Sequence, residues 1–108
     1  MATVSKILGQ SKPAATNVTD LYTVPANTQA EANLFICNQN SSASDKYRVA
    51  LRLGGEALDV KQYIAYDNEI QSGSTIIFSG LALNGGDVVT IRSLNGDVSF
   101  NLVGLEVA

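Results

Sequence analysis

Short runs in which apolar and polar residues alternate one for one recur along this 108-residue chain. In KYRVALRL, residues 46–53, the odd positions are Tyr, Val, Leu and Leu, and the even positions are Lys, Arg, Ala and Arg. A period of two is the side-chain period of a β-strand with one buried face. No stretch of ten or more residues carries the apolar stripe of an amphipathic helix. The pattern therefore predicts an all-β chain.

Turn-forming residues divide the chain every eight to twelve positions, a spacing typical of sandwiches and barrels. Further strands are predicted at 17–24, 30–37, 62–66, 74–79, 87–94 and 97–103. We expect a jelly-roll-like antiparallel β-sandwich of about eight strands with an N-terminal arm. Residues 1–16, which end in the small, polar segment SKPAAT, are the arm or an edge segment, and residues 17–108 are a single sandwich domain.

Three finer structural features also follow from the pattern. Asn95-Gly96 predicts a type I′ turn closing a hairpin between the last two strands, because both residues tolerate positive φ. A change of parity in the last strand predicts a β-bulge near Val103-Gly104. The predicted core positions are Val24, Leu34, Ile36, Val49, Leu51, Ile64, Ile77, Val89, Ile91, Phe100 and Leu102.

Composition narrows the function classes. The chain has no His and one Cys, so it cannot supply an imidazole base or a Cys/His zinc set. We expect a protein that is not an enzyme and has no catalytic residues, cofactor or metal. A net charge of −3 offers no driving force for nucleic-acid binding. Apolar runs of at most four residues predict no membrane span, and the N-terminal residues have no signal-peptide run.

Several side chains admit both a functional and a structural interpretation. Asp67 and Glu69 could form a carboxylate pair, but Asp-Asn after a tyrosine favours a turn. Arg48, with its neighbouring basic residues, could clamp an anion, although a solvated or subunit-facing strand face is the simpler interpretation. The four tyrosines could bind sugar, but their strand positions favour packing. Cys37 has the size and polarity of a core residue, and we expect a free thiol.

A series of short strand and turn segments runs along the chain from residue 18 to about residue 106. Its elements are Leu21-Tyr22-Thr23-Val24-Pro25-Ala26, Ile36-Cys37-Asn38, Arg48-Val49-Ala50, Tyr63-Ile64-Ala65-Tyr66-Asp67, Gly80-Leu81, Asp87-Val88-Val89, Val98-Ser99-Phe100-Asn101 and Gly104-Leu105-Glu106. In these elements the chain resembles small virion structural proteins of tailed bacteriophages, especially those that infect cyanobacteria and other aquatic bacteria. The resemblance depends on a pattern of strands and turns and has no catalytic content.

The resemblance implies a β-sandwich displayed on a virion and made in the host cytoplasm. It leaves two locations in the virion open. One is a capsid cement or decoration protein that stabilises the outer surface of a phage head. The other is a tail, neck, baseplate or fibre component that could bind a receptor or glycan. The expected partners are further copies of the chain, with a trimer favoured, and the major capsid protein. The candidate contact residues are Val4, Ile7, Leu8, Arg48 and Arg52.

Overall fold

A computed structural model describes residues 2–108, which form eight β-strands. The strands are β1 (Thr3–Ser11), β2 (Thr19–Thr23), β3 (Gln29–Asn38), β4 (Asp45–Arg52), β5 (Tyr63–Ile70), β6 (Thr75–Asn84), β7 (Val88–Ser93) and β8 (Val98–Val107). Two single turns of 3₁₀ helix, Leu53–Gly55 and Val60–Gln62, lie in the β4–β5 connection. No α-helix occurs in the described part of the chain, as the alternation predicts.

The strands form two four-stranded antiparallel sheets. Sheet 1 has the order β1-β8-β3-β6, and sheet 2 has the order β2-β7-β4-β5. Strand β1 pairs with β8, β2 with β7, β3 with β6 and β4 with β5, so the chain is arranged as a long hairpin rolled up into two layers. This is the jelly-roll order. The predicted all-β, eight-stranded antiparallel sandwich is confirmed.

The core lies between the two sheets and consists of the inward-facing residues of strands from both sheets. Eight of the predicted core residues are buried, and Leu51 is half-buried against them. The buried eight are Val24, Leu34, Ile36, Val49, Val89, Ile91, Phe100 and Leu102. In β3, β4 and β8 these positions follow the two-residue period, whereas in β7 four consecutive residues are buried.

Two predicted core residues are wrong. Ile64 is 41% exposed and Ile77 is 54% exposed. In β6 the neighbouring Ile76 faces the core instead, since two adjacent isoleucines leave the parity of a strand undetermined. In β5 the inward residue is Ala65, which pairs with a buried position of β4 beside a shift in register. A one-residue change in register exchanges the two faces of a strand.

The predicted hairpin at Asn95-Gly96 is also wrong, because β7 and β8 belong to different sheets. Gly96 has a φ of 81°, but Asn95 does not take positive φ, so the turn is not type I′. The connection is held by side chains instead of a strand ladder. The carboxylate of Asp45 accepts hydrogen bonds from the backbone N–H groups of Asn95 and Asp97, at 2.9 and 3.3 Å.

The predicted bulge near Val103-Gly104 is not in β8, whose register with β3 is continuous from Val98 to Val107. The extra residue is Leu8 in β1, where the register with β8 shifts between Ile7 and Gly9. The parity change in β8 has a different origin: apolar residues after Val103 lie on the outer face of the sheet. Strand β1 is an edge strand of sheet 1, and Met1 of the predicted segment 1–16 lies outside the described residues.

Candidate assembly surfaces

The outer face of sheet 1, which we call the sheet 1 face, carries six large apolar side chains among neutral polar ones and almost no charge. Directly paired residues of antiparallel strands point to the same side, so the strand registers assign its members. Its large apolar side chains are Ile7, Phe35, Ile77, Val103, Leu105 and Val107. Among the described residues, Glu31 is the only charged side chain whose pairing places it on this face. Large apolar side chains grouped on one face are a feature of interaction surfaces.

The sheet 1 face is not flat. An open depression of about 560 Å³ lies between β1, β8, β3 and β6, and its lining includes the apolar Ile7, Val103 and Leu105 and the charged Lys6 and Glu31. Two glycines also line it. Gly80 has a φ of 72° and open space at the position of a Cβ, whereas Gly104 passes so close to β3 that a Cβ would lie 2.0 Å from the carbonyl oxygen of Glu31. Beside the depression, Ile77 projects from β6 next to Phe35.

A second apolar surface is the β4–β5 connection, residues 53–62, which we call the β4–β5 loop. Leu53 is 69% exposed, Val60 is 81% exposed, and Leu58 is exposed between them. Ile64, two residues after the loop in β5, is also exposed. Large apolar side chains are therefore grouped on one connection on the surface of the described chain.

Hydrogen bonds fix the backbone of the β4–β5 loop. At its start, Arg52 donates to the carbonyl oxygens of Gly55 and Glu56, and the Asp87 carboxylate accepts from the N–H of Gly54 at 2.7 Å. At its end, Asp59 and Gln62 form a capping box, with the Gln62 side-chain oxygen 2.8 Å from the Asp59 nitrogen. The loop is therefore ordered with its apolar side chains already at the surface.

The two predicted arginine contacts are engaged within the chain. Arg48 donates two hydrogen bonds to Asp67, at 2.6 and 3.0 Å, and its guanidinium lies 4.0 Å from the centre of the Tyr66 ring. Arg52 forms an ion pair with Asp20 at 2.9 Å in addition to its loop contacts. Arg48 therefore connects β4 to β5, and Arg52 connects β4 to β2, within sheet 2.

Asp67 and Glu69 do not share a site, and neither forms the predicted turn. Both lie in β5, where Asp67 takes a φ of 55° beside an irregular register with β4. The hydrogen-bonded Arg48 guanidinium holds the pKa of the Asp67 carboxyl below its usual value, and Arg92 adds to this effect. Glu69 instead accepts a hydrogen bond from Gln71. The carboxylate of Asp67 therefore has a structural role.

The three apolar candidates in β1 point in different directions. Leu8 packs against the chain's own core. Val4 is exposed and shares a face with Glu106, opposite to the face that carries Ile7. Glu106 accepts a hydrogen bond from Tyr22 of sheet 2 and forms an ion pair with Lys6 at 2.8 Å. Of the three apolar candidates, Ile7 alone joins the sheet 1 face.

The Tyr22–Glu106–Lys6 contacts connect the two sheets next to the edge strand. Hydrogen bonds from Lys6 and Tyr22 lower the pKa of the Glu106 carboxyl. Burial, together with the Glu106 carboxylate, raises the pKa of the Tyr22 hydroxyl above its usual value. Both shifts widen the pH range over which Glu106 is ionised while Tyr22 is protonated, which is the state that forms the bridge between the sheets.

The remaining candidates are dispersed. Tyr47 is buried in the core, whereas Tyr63 and Tyr66 stack edge to face on β5 with their ring centres 4.9 Å apart. The four tyrosines therefore do not make one platform. Cys37 is a free thiol, as a lone cysteine must be within one chain, but it is half-buried on the sheet 1 face and not in the core.

Comparison with protein-family models, with curated proteins and with solved structures finds no match for this chain. Between residues 2 and 108, no three His, Cys, Asp or Glu side chains are grouped so that they could hold a metal ion. Within the same residues, no helix is long and apolar enough to cross a membrane.

Proposed function

We propose that this chain is a non-enzymatic virion structural protein that decorates the outside of a tailed-phage head as a homo-oligomer and strengthens it. The observation that carries the proposal is the ordered, apolar β4–β5 loop. Its most exposed side chains, Leu53 and Val60, remain at the surface although a free chain gains nothing by exposing them. A loop whose backbone is fixed in advance loses little entropy on docking, so it is suited to contact the major capsid protein.

The resemblance to phage virion proteins supports the same class of function, and the jelly roll provides a rigid body for it. A trimer is the favoured assembly because three copies related by a threefold axis present three loops in one direction. Three modest contacts on one rigid body bind far more tightly than one, since the second and third are intramolecular. No single residue then needs to be a strong anchor.

The test is binding to separated heads and tails of the phage that encodes the chain. The purified protein should sediment with heads, and Val60→Glu should weaken that binding by at least about tenfold because it places a charge in the contact. Val18→Glu is the matched control, since Val18 is 50% exposed but lies in the β1–β2 connection. Its binding should stay within about twofold of the wild type.

Binding to tails alone would replace this proposal with the tail, neck, baseplate or fibre alternative. Equal binding of both variants to heads would support the location on the head but show that the β4–β5 loop does not contact the major capsid protein.

A further inference from the structure

We propose that the sheet 1 face is the surface through which copies of this chain pack against one another. The inference rests on the homo-oligomer of the proposed function but not on its location in the virion. It assigns the contact to Ile77 and Phe35 of one copy and to the depression beside Val103 of the next.

Charge is distributed unevenly between the outer faces of the two sheets. Arg48, Arg92 and Asp67 cluster on sheet 2, while Glu31 is the single charge among the described residues of the sheet 1 face. The cores of protein interfaces are depleted of charge and enriched in large apolar side chains. The sheet 1 face also carries neutral polar residues, among them Gln29, Asn33 and Asn101. Its low charge and its large apolar side chains are the features that it shares with an interface.

The sheet 1 face also has the area that a stable contact needs. Three of the four strands of sheet 1 have 10 residues, and the edge strand β1 has 9. With strands about 4.8 Å apart and a rise of about 3.3 Å per residue, the face measures roughly 600 Å² in projection. A standard interface buries about 800 Å² of accessible surface per partner, which includes the relief of the side chains. The sheet 1 face is therefore large enough for a stable association.

The shape of the sheet 1 face favours a second copy of the chain as the partner. One part of the face is raised, because Ile77 is 54% exposed beside Phe35. Another part is hollow, at the 560 Å³ depression, where Gly80 has no side chain and the space at its Cβ position is open. A surface that carries both a projection and a hollow can fit another copy of itself. When two such faces meet, each copy inserts its projection into the hollow of the other.

The experiment compares the molar mass of variants by light scattering and sedimentation. Ile77→Glu and Val103→Glu should each weaken self-association by about 100-fold and yield monomers, because a charge is placed in an apolar contact. Ile64→Glu and Val60→Glu are matched controls, exposed on β5 and the β4–β5 loop, and should keep the wild-type mass. Circular dichroism and the thermal midpoint verify that all four variants fold.

A charge-pair variant tests the contact directly. If Ile77 of one copy meets the hollow of the next, then Ile77→Glu combined with Val103→Lys should recover association that each single change loses, because the two new charges attract. A wild type that is monomeric at its highest soluble concentration would overturn the inference, as would single variants that keep the wild-type mass. Binding to heads is measured separately. If self-association through the sheet 1 face fails, the proposed location on the head is unaffected. If binding to heads fails, the proposed self-association is unaffected.

Discussion

Phe100→Ala should lower the free energy of unfolding by about 3–5 kcal/mol, because it leaves a cavity at the centre of the sandwich. Phe100 is fully buried and is the largest of the fully buried side chains. It lies on β8, which pairs with both β1 and β3, so the strands around the cavity are held in place and cannot easily close it. Urea unfolding measures the loss.

Phe35→Ala is the matched control for that experiment. Phe35 is on the same sheet and pairs with Asn101, the residue that follows Phe100. It lies on the outer face and is only half-buried. Its truncation should cost about 1 kcal/mol or less in a monomeric background, since less apolar area is lost from the interior. A loss below about 1 kcal/mol for Phe100→Ala would mean that the assigned faces of β8 are inverted.

Asp45→Ala should cost about 2–4 kcal/mol, because several hydrogen-bond donors lose one shared acceptor. Asp45 is 2% exposed, and its carboxylate accepts from the Ser93 hydroxyl at 2.9 Å and from the backbone of Lys46 at 2.7 Å. It also accepts from the backbone of Asn95 and Asp97. The variant therefore frees the connection between the two sheets at one end of the sandwich.

Glu69→Ala is the control for Asp45→Ala. Glu69 is an exposed carboxylate of the neighbouring strand whose one side-chain hydrogen bond comes from Gln71, and its removal should change stability by about 0.5 kcal/mol or less. Equal stability of Asp45→Ala and the wild type would show that the β7–β8 turn does not depend on the carboxylate. Amide hydrogen exchange at Asn95 and Asp97 should rise in Asp45→Ala and stay unchanged in Glu69→Ala.

The sequence predicts the fold class well because the information for a strand is local. Alternation identifies β3 and β4, and eight of the eleven predicted core residues are buried. Parity fails only where adjacent apolar residues or a register shift make two faces equivalent, as at Ile77 and Ile64. The wrong turn prediction at Asp67 has the same cause, because its Asp-Asn pair lies inside a strand whose register is irregular.

Contacts between distant residues are what the sequence does not reveal. Asn95-Gly96 marks a turn correctly, but nothing local determines that β7 and β8 enter different sheets. Asp45 resembles any acidic residue at the start of a strand, and its burial depends on partners about fifty positions away. The sheet 1 face is assembled from four strands. Its one sign in the sequence is Phe35, a large apolar residue among the mostly polar outward residues of β3.

Electron cryomicroscopy of the intact virion tests the proposed function most directly. The account predicts density for this jelly roll on the outer surface of the head, at symmetric points between capsomers, with the β4–β5 loop turned toward the major capsid protein. Density for the chain confined to the tail or baseplate would contradict the account.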